Sequence, residues 1–139
     1  MEIFYYSKHK ALWQYMAKKE TIIKIADIAK NKYYHDTKDA VDNVVSATKR
    51  EYINDTYHED VQCSCYACKA CKHKCYECPI KIGRCYEENS YYGGYIKAIT
   101  DYIVTDDNKY IEEAHKYAIN IAMAGIKGDI LIGYHLEVK

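Results

Sequence analysis

The chain has 139 residues, enough for one domain with one modest core. Twenty basic and twenty acidic residues cancel to a formal net charge of zero, which argues against a protein that grips nucleic acid mainly through its phosphates. No apolar run approaches the roughly 20 residues a bilayer requires, and the opening MEIFYYSKHK lacks the apolar core of a signal peptide, so no membrane partner and a cytoplasmic location are expected. Composition is skewed: 17 Tyr stand against one Phe, one Trp and one Pro, and arginine occurs only at Arg50 and Arg84. Abundant Lys, Ile, Tyr and Asn is what an AT-rich genome encodes, so the bias carries little functional information.

Residues 3–18 read as a first helix. Tyr5, His9, Leu12, Trp13, Met16 and Ala17 recur at helical spacing, with Trp13 as the largest anchor of the stripe. His9 lies within that stripe and is expected to be a core-edge histidine bonded to backbone rather than a ligand. A second helix is predicted over 20–33, where Ile22, Ile25, Ala26 and Ala29 share a face that Ile23 and Ile28 widen. A third runs from about Thr37 to Ile53. Asp36 is its N-cap and Asp39 sits in its first turn; Val41, Val44, Val45, Thr48 and Tyr52 line its buried side. Asn54–Gln62 reads as a polar loop. Asn89–Gly94 reads as a turn punctuated by Gly93-Gly94, before a short helix over Tyr95–Val104 with Ile96, Ile99 and Ile103 on one side. Asp106 or Asp107 caps a last helix, Lys109–Ala124, with Ile111, Ala114, Ala118, Ile121 and Ala122 as its stripe and Gly125 as its stop. Asp129–Val138 then alternates as a strand. Its partner must come from Ile3–Tyr6, from the cysteine segment, or from a second copy in a homodimer.

All seven cysteines fall between Cys63 and Cys85, in CSCYACKACKHKCYECPIKIGRC. In a reducing compartment such clustering reads as metal ligation, and an odd count speaks against a disulfide framework. Cys65/Cys68 and Cys75/Cys78 form two Cys-x-x-Cys turns, each able to point two thiolates at one ion; together they make the soft tetrahedron that Zn2+ favours. Spacing alone leaves the ligand set open. Cys85 is a substitute ligand, Cys68/Cys71 is a competing pair, and Cys63, Cys71 and His73 are candidates for a second ion. His35 and His58 are further candidate ligands, with His58 the weakest. Cys65/Cys68/Cys71 and Cys78-Pro79 echo an iron–sulfur run, the main rival to zinc. Lys69, Lys72, Lys74, Lys81 and Arg84 make the stretch locally basic, which serves either as compensation for a thiolate site or as a nucleic-acid patch. A sulfur-rich closed site lacks the open water position of a catalytic zinc, and no HExxH, Walker loop, nucleophile elbow or deaminase signature occurs, so no enzyme is expected.

The pattern His9-x-x-Leu12-Trp13-x-x-x-Ala17, Cys65-Tyr-Ala-Cys68, Cys75-Tyr-Glu-Cys78-Pro79-Ile80, Gly-x-Cys85 and Ala118-x-x-Ile121-Ala122 resembles a group of small phage- and prophage-encoded zinc proteins. The chain departs from that group in the long stretch between Ala17 and Cys63 and in its strand-like tail. The resemblance implies an accessory protein of a mobile element that blocks a host protein, most concretely an anti-CRISPR inhibitor of the type II effector nuclease. Tyr33, Tyr34, Tyr91, Tyr92 and Tyr95 lie in or beside the predicted loops and are the candidate partner-binding rings, because tyrosine offers a large rigid surface at low entropic cost. The expected architecture is a mainly α single domain over 1–139: a helical part (1–60), a zinc-binding segment (61–88), and a part with helices and a terminal strand (89–139). A nucleic-acid-binding zinc module is the alternative function, and a metalloenzyme the third.

Overall fold

The computed structural model describes residues 2–32, 36–59, 90–123 and 134–137. They form a mainly helical body of five helices among the described residues: α1 (Tyr6–Ala17), α2 (Lys19–Lys30), α3 (Thr37–Tyr57), α4 (Tyr91–Thr105) and α5 (Lys109–Ala122). Two short strands, β1 (Glu2–Tyr5) and β2 (Tyr134–Glu137), pair in parallel with Glu2 opposite Tyr134 and Tyr5 opposite Glu137. The first predicted helix therefore begins later than its stripe suggests, because Glu2–Tyr5 pairs as a strand and the chain turns helical at Tyr6.

α1 buries His9, Leu12, Trp13, Met16 and Ala17. It stops at Lys18, an extended residue with φ −62° and ψ 135°, and α2 starts at once. Neither Gly nor Pro marks the break; the stripe does. Glu20, Lys24 and Asp27, which would prolong the face of Trp13 and Met16, are exposed, while α2 buries Thr21, Ile22, Ile25, Ala26 and Ala29. A single straight helix could not bury both sets. Ile23 and Ile28, expected to widen the buried face of α2, are each 37% exposed.

α3 begins as its sequence demands: Asp36 is extended and its Oδ1 accepts the Asp39 N–H at 2.8 Å. It runs one turn beyond Ile53, ending where His58 takes a left-handed conformation (φ 55°, ψ 36°) and donates its N–H to the Asn54 carbonyl. Ala40, Val41, Val44, Val45 and Ile53 are buried, and each such aliphatic side chain removed from water is worth ~1.5–3 kcal/mol at the larger sizes. Tyr52 is half-buried rather than interior.

The start of α4 corrects the sequence expectation. Gly93-Gly94 is not a turn: Ser90 caps the helix, its Oγ accepting the Gly93 N–H at 2.9 Å, and Tyr91 to Gly94 form the first turn. Gly94 is there for close approach. A Cβ on it would sit 2.4 Å from Cε1 and Cζ of Tyr117, so only glycine lets α5 lay that ring over α4. α4 ends at Asp106, left-handed at φ 59°, and Asp107 Oδ1 accepts the Lys109 N–H at the head of α5. In α5, Ile111, Ala114, Ala118, Ile121 and Ala122 are all buried, as the stripe predicts. Gly125 and most of 129–138 lie outside the described residues.

The helices share one core. α5 packs along α1 and α4; α2 lies against α3 and also meets α4 and α5. Two histidines fasten α1 to α5. His9 Nε2 donates to the Ile121 carbonyl at 3.2 Å, and His115 Nδ1 donates to the Ala17 carbonyl at 2.7 Å. No helix among the described residues is long and apolar enough to cross a membrane.

Candidate functional site

All seven cysteines, His35, His73, Tyr33 and Tyr34 lie outside the described residues. Among the described residues no group of three or more His, Cys, Asp or Glu side chains could hold a metal ion. What the fold does define is the pair of points between which the cysteine-bearing residues 60–89 run: the end of α3 and the head of α4.

At the first point, Glu59 pairs with the Lys8 ammonium of α1. Lys8 Nζ also sits 4.8 Å from the ring centres of both Tyr5 and Tyr57, an arrangement that favours a cation. Tyr57 meets Tyr52 edge-on at 6.3 Å, and Tyr52 stacks on Tyr15 at 4.6 Å. Thus α1 and the last turns of α3 are joined by aromatic and cationic contacts. His58, the weakest candidate ligand, is exposed and serves as the cap of α3.

At the second point, three of the candidate partner-binding tyrosines are described, and their surroundings differ. Tyr91 is exposed, at 38%. Tyr92 is half-buried: its hydroxyl donates to Asp42 Oδ1 at 2.7 Å and its ring meets Trp13 edge-on at 6.1 Å. Tyr95 is 0% exposed, so its expected role as a free partner-binding ring is wrong. Its ring packs edge-on against Trp13 at 5.6 Å and its hydroxyl donates to the Met16 carbonyl at 2.8 Å. Burial pushes that phenol well above the ordinary tyrosine range, so it stays neutral and donating. The cause of the misassignment is the extra helical turn: with α4 starting at Tyr91, Tyr95 falls one turn into the helix and faces α1.

Sequence reasoning also passed over Lys49, which is only 2% exposed. Its Nζ lies 4.6 Å from the Tyr92 ring centre and 5.2 Å from that of Trp13, between α3, α1 and the head of α4. The signal was present, since Lys49 stands midway between Val45 and Ile53 at i±4 on the buried stripe. His9 behaves as expected. Burial above all, with nearby Lys49 and Lys10 adding to it, lowers its pKa to about 4 against the opposing pull of the Ile121 carbonyl. It is a neutral structural histidine whose Nε2–H is committed to backbone.

The chemistry of the donor set fits zinc: seven sulfur donors within Cys63–Cys85 supply more than the four thiolates a tetrahedral ion needs, in Cys-x-x-Cys pairs suited to it. Comparison of the chain with protein-family models, curated proteins and solved structures finds no match in any of the three.

Proposed function

We propose that the chain is a zinc-stapled, non-enzymatic binding protein of a mobile element, acting in the bacterial cytoplasm by stoichiometric occupation of a host protein. The observation that carries this reading is the paired Cys-x-x-Cys set, Cys65/Cys68 with Cys75/Cys78, within a chain of zero net charge. Four thiolates would hold zinc as a closed cross-link, which supplies folding free energy rather than a reactive water. Cys85 remains the substitute ligand, with Cys63, Cys71 and His73 available to a second ion.

The concrete target is the type II CRISPR effector nuclease, which follows from the resemblance to phage zinc proteins. Tyr91, exposed at the head of α4 beside the cysteine segment, is the described ring best suited to contact a partner. Tyr33 and Tyr34 complete the candidate set; Tyr92 is half-buried and Tyr95 is interior.

The test is a cleavage assay with type II nucleases titrated with zinc-loaded protein. Inhibition should saturate near equimolar protein, and Tyr91→Ala, alone or with Tyr33→Ala and Tyr34→Ala, should weaken it without changing the melting temperature. Inhibition at strongly substoichiometric protein would point to an enzyme and overturn the reading. The basic residues Lys69, Lys72, Lys74, Lys81 and Arg84 favour a second reading, a nucleic-acid-binding zinc module. Tight binding to naked DNA or RNA that weakens steeply with salt, without effect on any nuclease, would establish it instead.

A further inference from the structure

We draw no further inference here: the strongest candidate, the row of half-buried tyrosines Tyr57, Tyr52 and Tyr15 across α3 and α1 with Lys8 and Lys18 over its end rings, carries nothing because nothing in the structure shows what covers it.

Discussion

Acidification should weaken the fold through His9 in a way that one substitution can isolate. The imidazole is fully buried, its Nε2–H is bonded to the Ile121 carbonyl, and its pKa falls from 6.5 to about 4. Between those values the unfolded chain binds a proton that the folded chain refuses. Stability therefore rises with pH across that window, is fully present above about pH 6.5, and is lost progressively as pH falls toward 4. With ~1.36 kcal/mol per pKa unit, the loss is about 1 kcal/mol at pH 6, about 2 at pH 5, and about 3 once both states are protonated. Carboxylates, and the thiolates of the proposed zinc site, would titrate in the same range, so the wild type alone is uninformative. His9→Gln retains an amide donor for Ile121 but cannot titrate. Urea unfolding of both proteins at pH 7, 6, 5 and 4 separates the terms, since every other group contributes equally to each. The wild type should lose about 2 kcal/mol more than His9→Gln between pH 7 and pH 5. Parallel stability profiles for the two proteins would refute the reasoning, as would a His9 ring proton signal that titrates near pH 6.5 in the folded state.

Three further outcomes are expected. Gly94→Ala should destabilise by about 1 kcal/mol, because the new methyl displaces the Tyr117 ring 2.4 Å away; in a Tyr117→Ala background the same change should cost nothing, and equal costs in both backgrounds would exclude the contact as the cause. Tyr95→Phe removes the hydroxyl bonded to the Met16 carbonyl and should lower stability in urea by about 0.5–1.5 kcal/mol, whereas an unchanged midpoint would mean the bond contributes nothing. Cys78→Ser should lose zinc by elemental analysis and melt far below the wild type, while Cys63→Ser should be mild; full metal content in Cys78→Ser would show the ligand set to be different.

Periodicity was sufficient for the parts of this protein that depend on one helix at a time. The α5 stripe from Ile111 to Ala122, the Asp36 cap and the interior position of His9 follow from spacing and local hydrogen bonding, and all three stand in the fold. A zinc site can be proposed from the sequence for a similar reason, since a Cys-x-x-Cys turn is a local device. The choice among seven sulfurs cannot be, because it depends on which turns meet in space. Features that depend on two elements at once were also hidden. Gly93-Gly94 looks like a turn because glycine weakens helices; Ser90 caps a helix that takes in both, and Gly94 is needed there because Tyr117 of α5 occupies the space a side chain would need. Tyr95 looks like the first residue of a helix, beside a loop, and is interior because that added turn swings it onto Trp13 and the Met16 carbonyl. Lys49 stands on the buried stripe between Val45 and Ile53, but what receives its charge there, the rings of Trp13 and Tyr92, is brought by two other helices. In each case the deciding contact joins residues from different helices, and no local pattern along one segment encodes a contact that exists only when the helices pack.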